Sequence, residues 1–242
     1  MPKDEVFKET IQRPSDFKFS KNVANVFDDM VNRSVPFYGE IQRMIAELAS
    51  TYAKPGTELY DLGCSTGNSF LLLDPLLDPA VHFVGIDDSA DMLYKCDEKL
   101  KAAHIKHSYE LIAADINGNV HISKASVVIL CLTLQFVRPL YREKLLQKIY
   151  DGLEPGGALI LIEKILAEES DSNRQFIQYY YDYKRRQQYS EMEISQKREA
   201  LENVLIPYKL SENIQMLGEA GFTHCEVFFK WYNFSGLIAI KN

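Results

Sequence analysis

The chain has 242 residues, 46% hydrophobic and 25% charged, with a net charge of -7. These proportions exclude a disordered chain, a collagen and a coiled-coil rod, and the length suits one large domain or two small ones. No apolar run approaches the roughly 18 residues that span a bilayer, the N-terminus lacks the apolar stretch of a signal peptide, and an acidic chain lacks the cationic stripe that grips a phosphate backbone.

The first twenty residues lack periodicity and contain Pro14, so they read as an arm. Val23, Val26, Phe27 and Met30 share one face of a helix predicted over 23–32. A break follows at Ser34-Val35-Pro36, and Ile41, Met44, Ile45 and Leu48 form the stripe of a second helix over 37–52. Residues 1–54 thus read as an arm and helices that pack on a site in the following domain. From Pro55 the pattern changes. Strands are predicted over 58–62, 82–86, 109–113, 126–131 and 158–163, with helices over 69–77, 90–103 and 141–153 between them. The run ending at Cys131 is almost continuously apolar, as a central parallel strand requires. A breaker turn, Glu154-Pro155-Gly156-Gly157, precedes the fifth strand.

Two polar helices, over 173–188 and 191–203, interrupt the alternation. The first holds Tyr179, Tyr180, Tyr181 and Tyr183, more aromatic surface than a solvated face needs, which points to packing on a second copy of the chain. The second opens with Ser190 and Glu193 at the capping-box spacing. Together they read as an inserted helical cap at about 170–205. A helix over 211–220, closed by Gly221 at a left-handed position, leads to strands over 225–229 and 234–240 that can pair antiparallel. The fold class is α/β: over 55–242, a doubly wound, mostly parallel sheet with helices on both faces, carrying a helical N-terminal extension and the inserted cap.

Cys64, Cys96, Cys131 and Cys225 contain no CxxC, which argues against a zinc ribbon or a disulfide scaffold and for reduced thiols in a cytoplasmic protein. His104 and His107 read as surface residues of a helix end, and no metal is expected.

The chemistry centres on Tyr60-Asp61-Leu62-Gly63-Cys64-Ser65-Thr66-Gly67. A strand enters, glycines let the backbone turn sharply, and a helix leaves. Such a turn presents backbone N–H groups to a ligand. Asp87 ends the next strand, where a carboxylate can accept both hydroxyls of a ribose. Asp88 adjoins it. Asp115 and Ile116, after the third strand, are placed to meet an adenine ring, though a turn cap explains Asp115 equally well. Cys131 ends the fourth strand beneath the same crevice. Gly63-Cys64-Ser65-Thr66-Gly67 also fits the Gly-x-Ser-x-Gly elbow of hydrolases, with Asp115 and His224 completing a triad. That elbow normally follows several strands, however, and it leaves Asp87 without a role.

The Asp-x-Gly-x-x-x-Gly turn, the acid after strand two, Asp115-Ile116 after strand three and Leu153-Glu154-Pro155-Gly156-Gly157 resemble the class I S-adenosylmethionine-dependent methyltransferases. A closer resemblance covers nearly the whole chain. Phe27-Asp28-Asp29-Met30, Arg33-Ser34-Val35-Pro36 with Tyr38, Leu132-Thr133-Leu134-Gln135-Phe136, and Tyr189-Ser190-Glu191-Met192-Glu193-Ile194-Ser195-Gln196-Lys197-Arg198 are similar to the carboxy-S-adenosyl-L-methionine synthases. That resemblance implies an enzyme that uses prephenate to place a carboxyl group on the sulfonium methyl of S-adenosyl-L-methionine, releasing phenylpyruvate. The product, carboxy-S-adenosyl-L-methionine, then serves a second enzyme that modifies the wobble uridine of tRNA.

Carried over by position, the resemblance puts Tyr38, Gly63, Cys64, Ser65, Asp87, Asp88, Asp115, Ile116 and Arg198 around the ligand, while the acidic charge points to small-molecule chemistry with no direct nucleic acid and the hydropathy to no membrane. Arg198 is expected to pair with the added carboxylate through its planar fork, the sequence offering no other obvious cation for it, and to do so from a neighbouring subunit of a homodimer. Cys131 stands where the family has an asparagine, a weak donor in place of an amide. Two other readings share the same loop: an ordinary S-adenosylmethionine-dependent methyltransferase acting on a small molecule, and a catalytically silent S-adenosylmethionine-binding protein.

Overall fold

Alternation of side chains along each strand builds two cores, one on each face of a single sheet. The computed structural model describes residues 2–10, 16–118 and 120–242; Pro14 lies outside them. Two helices come first, α1 (Lys21–Ser34) and α2 (Tyr38–Tyr52). Then follow β1 (Glu58–Leu62), α3 (Asn68–Leu73), β2 (His82–Asp87), α4 (Ala90–Ala102), β3 (Tyr109–Ala113) and β4 (Ala125–Cys131). The chain continues through α5 (Pro139–Gly152), β5 (Leu153–Leu166), α6 (Ser170–Arg186), α7 (Glu191–Leu201) and the short β6 (Tyr208–Lys209). It closes with α8 (Leu210–Glu219), β7 (His224–Trp231) and β8 (Phe234–Ile240).

The sheet order is β3-β2-β1-β4-β5-β8-β7, with β6 paired to β5. Strands β1 to β5 run parallel, and β8 is antiparallel to both β5 and β7. Leu59, Phe83 and Val127 point to the face covered by α2, α3 and α4, while their neighbours Tyr60, Val84 and Val128 point to the face covered by α5 and α8. The order turns back between β1 and β4. That reversal opens a crevice at the carboxyl ends of the strands.

Several details differ from the sequence reading. The 154–157 turn is absorbed into β5, because Gly156, at φ +74°, donates its N–H to the Lys241 carbonyl (2.7 Å) and so stays tied to the sheet. His107 is buried, not on the surface. Its ring stacks on Phe83 at 4.3 Å, its Nδ1 lies 2.8 Å from Asp74, and its Nε2 lies 3.0 Å from the Asp78 carbonyl.

The tyrosines of α6 are used inside the chain, which removes the stated reason for placing them on a second copy. Tyr180 packs on Phe234 and Tyr183 on Trp231. Their hydroxyls donate to the Ser34 and Val35 carbonyls at 3.0 and 3.3 Å. The capping box at the start of α7 forms as the sequence spacing implies, with Ser190 N–H donating to Glu193 at 2.8 Å and Glu193 N–H to Ser190 Oγ at 3.3 Å. Among the described residues no helix is long and apolar enough to cross a membrane.

Gly221 follows α8 at φ +107°, and a Cβ there would lie 2.9 Å from the Tyr150 ring. Gly221→Ala is expected to cost about 1–3 kcal/mol in urea unfolding, through backbone strain and overpacking. Gly218→Ala, inside α8 with open space around its Cβ, is expected to gain up to about 1 kcal/mol from helix propensity. Equal effects of the two substitutions would contradict this account of the helix end.

Candidate functional site

The crevice holds a cavity of about 370 Å³. All ten residues singled out from the sequence line it. Gly63, Cys64 and Ser65 come from the turn after β1, Asp87 and Asp88 from the end of β2, and Asp115 and Ile116 from just beyond β3. Cys131 ends β4, Tyr38 opens α2, and Arg198 lies on α7.

The turn after β1 needs its glycines. Gly63 sits at φ +81° with a would-be Cβ 2.5 Å from Thr133 Oγ1, and Gly67 at φ +76° with one 2.5 Å from Cys96 Sγ. No side chain fits either place. The turn aims the Ser65 N–H at Asp87 Oδ2 (2.9 Å), and the Ser89 N–H meets Oδ1 (2.9 Å). Asp87 is 7% exposed, and burial pushes its pKa up to about 6 against the pull of these two bonds. Each oxygen retains accepting capacity, so the carboxylate is oriented and can still receive hydroxyls.

The other acids are more open. Burial and the neighbouring Asp115 push Asp88 up. Asp115 Oδ1 accepts from the Asn117 backbone (2.8 Å) and side chain (2.7 Å), so it does cap a turn while lining the cavity. Asp28 ties the N-terminal extension to the glycine turn. It accepts from Thr66 (2.7 Å), Asn68 (3.0 Å) and Lys99 (2.8 Å).

Cys131 Sγ accepts from the Gln42 amide at 3.5 Å, and Gln42 Oε1 in turn accepts from Ser69 at 3.2 Å. Burial holds the thiol protonated, which removes it as a nucleophile. The Tyr38 hydroxyl accepts from Asn68 at 3.3 Å, and burial raises its pKa too.

Sequence reasoning missed several groups that line the same cavity. Asp61 is 2% exposed, its Oδ1 has no hydrogen-bond partner among the described residues, and burial pushes its pKa to about 7. Its signal was an acid inside an otherwise apolar strand. Phe17 and Phe19, from the segment read as an arm, form an aromatic wall with Phe136. Lys164, Lys184 and Lys197 also face the cavity. Arg198 is therefore not the lone cation that the sequence suggested. It is exposed, and in the single chain it lines its own cavity.

The hydrolase reading fails on register. His224 pairs with Ile240, which pairs with Ala158 near the start of β5, so His224 lies at the sheet edge opposite Ser65. Among the described residues no group of three or more metal-ligating side chains assembles.

A family model described as a methyltransferase domain matches residues 59–157. The carboxy-S-adenosyl-L-methionine synthase of Methylococcus capsulatus is 53% identical over 242 residues, covering 100% of each chain. That of Desulfotalea psychrophila is 44% identical over 239 residues, covering 97% of each. A crystal structure of a putative O-methyltransferase from Nostoc punctiforme superposes with a TM-score of 0.65 at 19% identity, over 91% of this chain and 60% of that one, a likeness of fold.

Asp61 gives a testable consequence. An acid whose folded pKa is raised binds more protons folded than unfolded, so it lowers stability as pH climbs from 3.8 to about 7. Asp61→Asn is expected to stabilise the ligand-free protein at pH 8 and to change little at pH 4. A uniform loss at both pH values in urea unfolding would contradict the burial of an unpaired carboxylate.

Proposed function

The chain belongs to the carboxy-S-adenosyl-L-methionine synthase family, and we propose prephenate as the carboxyl donor for the conversion that it performs, S-adenosyl-L-methionine to carboxy-S-adenosyl-L-methionine. In this reading prephenate loses its ring carboxyl and ring hydroxyl and becomes phenylpyruvate. The carboxyl joins the sulfonium methyl carbon, and the hydroxyl leaves with the displaced methyl proton as water. The bound sulfonium supplies a methyl group whose C–H bonds are acidified by the positive sulfur.

The observation that carries the reading is the Asp87 carboxylate, buried, fixed by two backbone N–H groups and still able to accept. It suits the two ribose hydroxyls. The unpartnered Asp61 Oδ1 suits an ammonium, which the methionine part provides. The glycine turn at Gly63, Cys64 and Ser65 lets that part approach the backbone. Asp88, Asp115 and Ile116 suit the adenine, and Tyr38 and Cys131 close the floor. Arg198 suits the new carboxylate, the one feature that separates product from substrate.

The product would serve a second enzyme as the carboxymethyl donor for wobble uridine in tRNA. The net charge of -7 supports an enzyme of small molecules that leaves RNA to that partner, and the four free cysteines support a cytoplasmic setting. A homodimer in which Arg198 reaches the neighbouring subunit also belongs to this proposal. The exposure of Arg198, which has no ion-pair partner among the described residues, supports it.

Calorimetry separates the roles. Asp87→Ala should weaken substrate and product alike, by roughly 1–3 kcal/mol for lost charge-assisted hydrogen bonds. Arg198→Ala should weaken the carboxylated product by about tenfold to a hundredfold and the substrate far less, with Arg198→Lys recovering part. Equal losses for both ligands would remove Arg198 from carboxylate recognition. Mass spectrometry of ligand carried through purification should find the carboxylated sulfonium.

A further inference from the structure

The cavity carries opposite charge at its two ends. Asp61, Asp87, Asp88 and Asp115 collect around the ends of β1 to β3. Across from them Lys164 of β5, Lys184 of α6 and Lys197 of α7 converge from three separate elements. Lys184 and Lys197 are 5% and 8% exposed. The Lys164 and Lys184 ammonium groups lie 5.0 and 4.6 Å from the centroid of the Tyr180 ring, and among the described residues neither has a hydrogen-bond or ion-pair partner. Lys197 donates to Ser34 Oγ at 3.0 Å and lies 3.9 Å from Asp4.

The available counter-charges are already engaged. Asp4 Oδ2 receives the Tyr189 hydroxyl at 2.6 Å, and its Oδ1 receives the Val6 N–H at 3.2 Å. Arg33 adds another positive charge close by, paired with Asp29 and bonded to the Gln187 carbonyl. Glu163, next to Lys164 in sequence, points to the other face of β5 and accepts from the Leu134 N–H. Three lysines against one carboxylate leave an excess of two positive charges. Burial draws Lys164 and Lys197 down to about 8, and the mutual repulsion of the lysines adds to the lowering at Lys184. Buried cations of one sign are costly unless something pairs with them. Nothing among the described residues of the chain does so fully.

We propose that Lys164, Lys184 and Lys197, with the Tyr180 ring against two of them, form the subsite for the anionic co-substrate, a ligand with two carboxylates on an apolar ring-bearing body. The inference rests on the function proposed above and assigns its second substrate a place. The acid-lined end holds the cationic adenosyl ligand and the lysine end holds the dianion, so the reacting carbons meet between them. Each carboxylate takes an ammonium donor, and Tyr180, Tyr181 and Phe234 supply the apolar wall.

The test uses Lys164→Met and Lys184→Met, with Lys184→Arg as the conservative variant. Turnover is followed as carboxylated sulfonium formed from S-adenosyl-L-methionine and prephenate. Binding without turnover is followed by titrating prephenate into protein saturated with S-adenosylhomocysteine, which has no methyl group to react. Each Met variant should raise both KM and Kd for prephenate about tenfold or more, since it removes one partner of a buried charge pair. S-Adenosyl-L-methionine affinity should stay within about twofold, and Lys184→Arg should recover part of the loss. The variants should fold at least as stably as the wild type, because a buried unpaired cation has been removed.

Turnover unaffected by the Met variants would overturn the subsite and leave the carboxylation reaction standing. Prephenate binding that depends on the lysines, without turnover in the wild type, would support the subsite and overturn prephenate as the carboxyl donor. Loss of S-adenosyl-L-methionine affinity equal to the loss for prephenate would overturn the subsite, as would a wild type that does not bind prephenate at all.

Discussion

Much of the molecule depends on the close approach between Gly63 and Thr133. The chain leaves β1 in a left-handed turn and lies directly on the segment that leaves β4, with no room for a side chain between them. That second segment is itself pinned from below. Glu163 accepts the Leu134 N–H, and the buried Arg142 donates to the carbonyls of Val137, Gln135 and Ile206. Ile206 lies just beyond α7, so the same arginine connects the cavity floor to the cap. Three N–H groups of Arg142 meet carbonyl oxygens and its guanidinium lies over the Tyr208 ring at 4.2 Å, contacts that make a buried cation tolerable. Glu163, pushed up to about 8 by burial, stays largely protonated at neutral pH.

The cavity above that floor runs against the stability of the fold. Asp61 is buried without a full set of partners among the described residues, Asp87 is held by backbone N–H groups, and two of the lysines crowd the Tyr180 ring. Each is a group that folding would favour leaving in water. In the proposed function, ligands complete the pairing, a cation at one end and a dianion at the other. Sites of this kind are where sequences depart from what packing alone favours. The N-terminal extension belongs to the same design, since Asp28 fastens α1 to the glycine turn and Ser34 meets Lys197.

The parts legible in the sequence were those set by local periodicity and by topology. The alternating strands, the glycine turn and the acids at strand ends needed no tertiary information, because crevice position follows from strand order. The capping box at Ser190 is equally local. What escaped depends on distant partners. Lys184 and Lys197 sit on helices of polar composition, where nothing local marks a lysine for burial. Their burial comes from α1 and from Asp4, far away in sequence. His107 was taken for a surface residue because nothing near it in the chain announces Phe83 and Asp74. The four tyrosines suggest a partner subunit, whereas Tyr232, Phe234 and Trp231 already pack on three of them, Tyr179, Tyr180 and Tyr183. The two-residue β6 is too short to carry any period.

In the proposed function the cavity moves a carboxyl group onto the sulfonium methyl of S-adenosyl-L-methionine. This transfer is tested most directly by incubating the protein with S-adenosyl-L-methionine and prephenate isotopically labelled at the ring carboxyl, then weighing the adenosyl product by mass spectrometry. The account predicts that the label appears in carboxy-S-adenosyl-L-methionine, in step with phenylpyruvate release. Formation of S-adenosylhomocysteine and a methylated acceptor, or of unlabelled product, would contradict it.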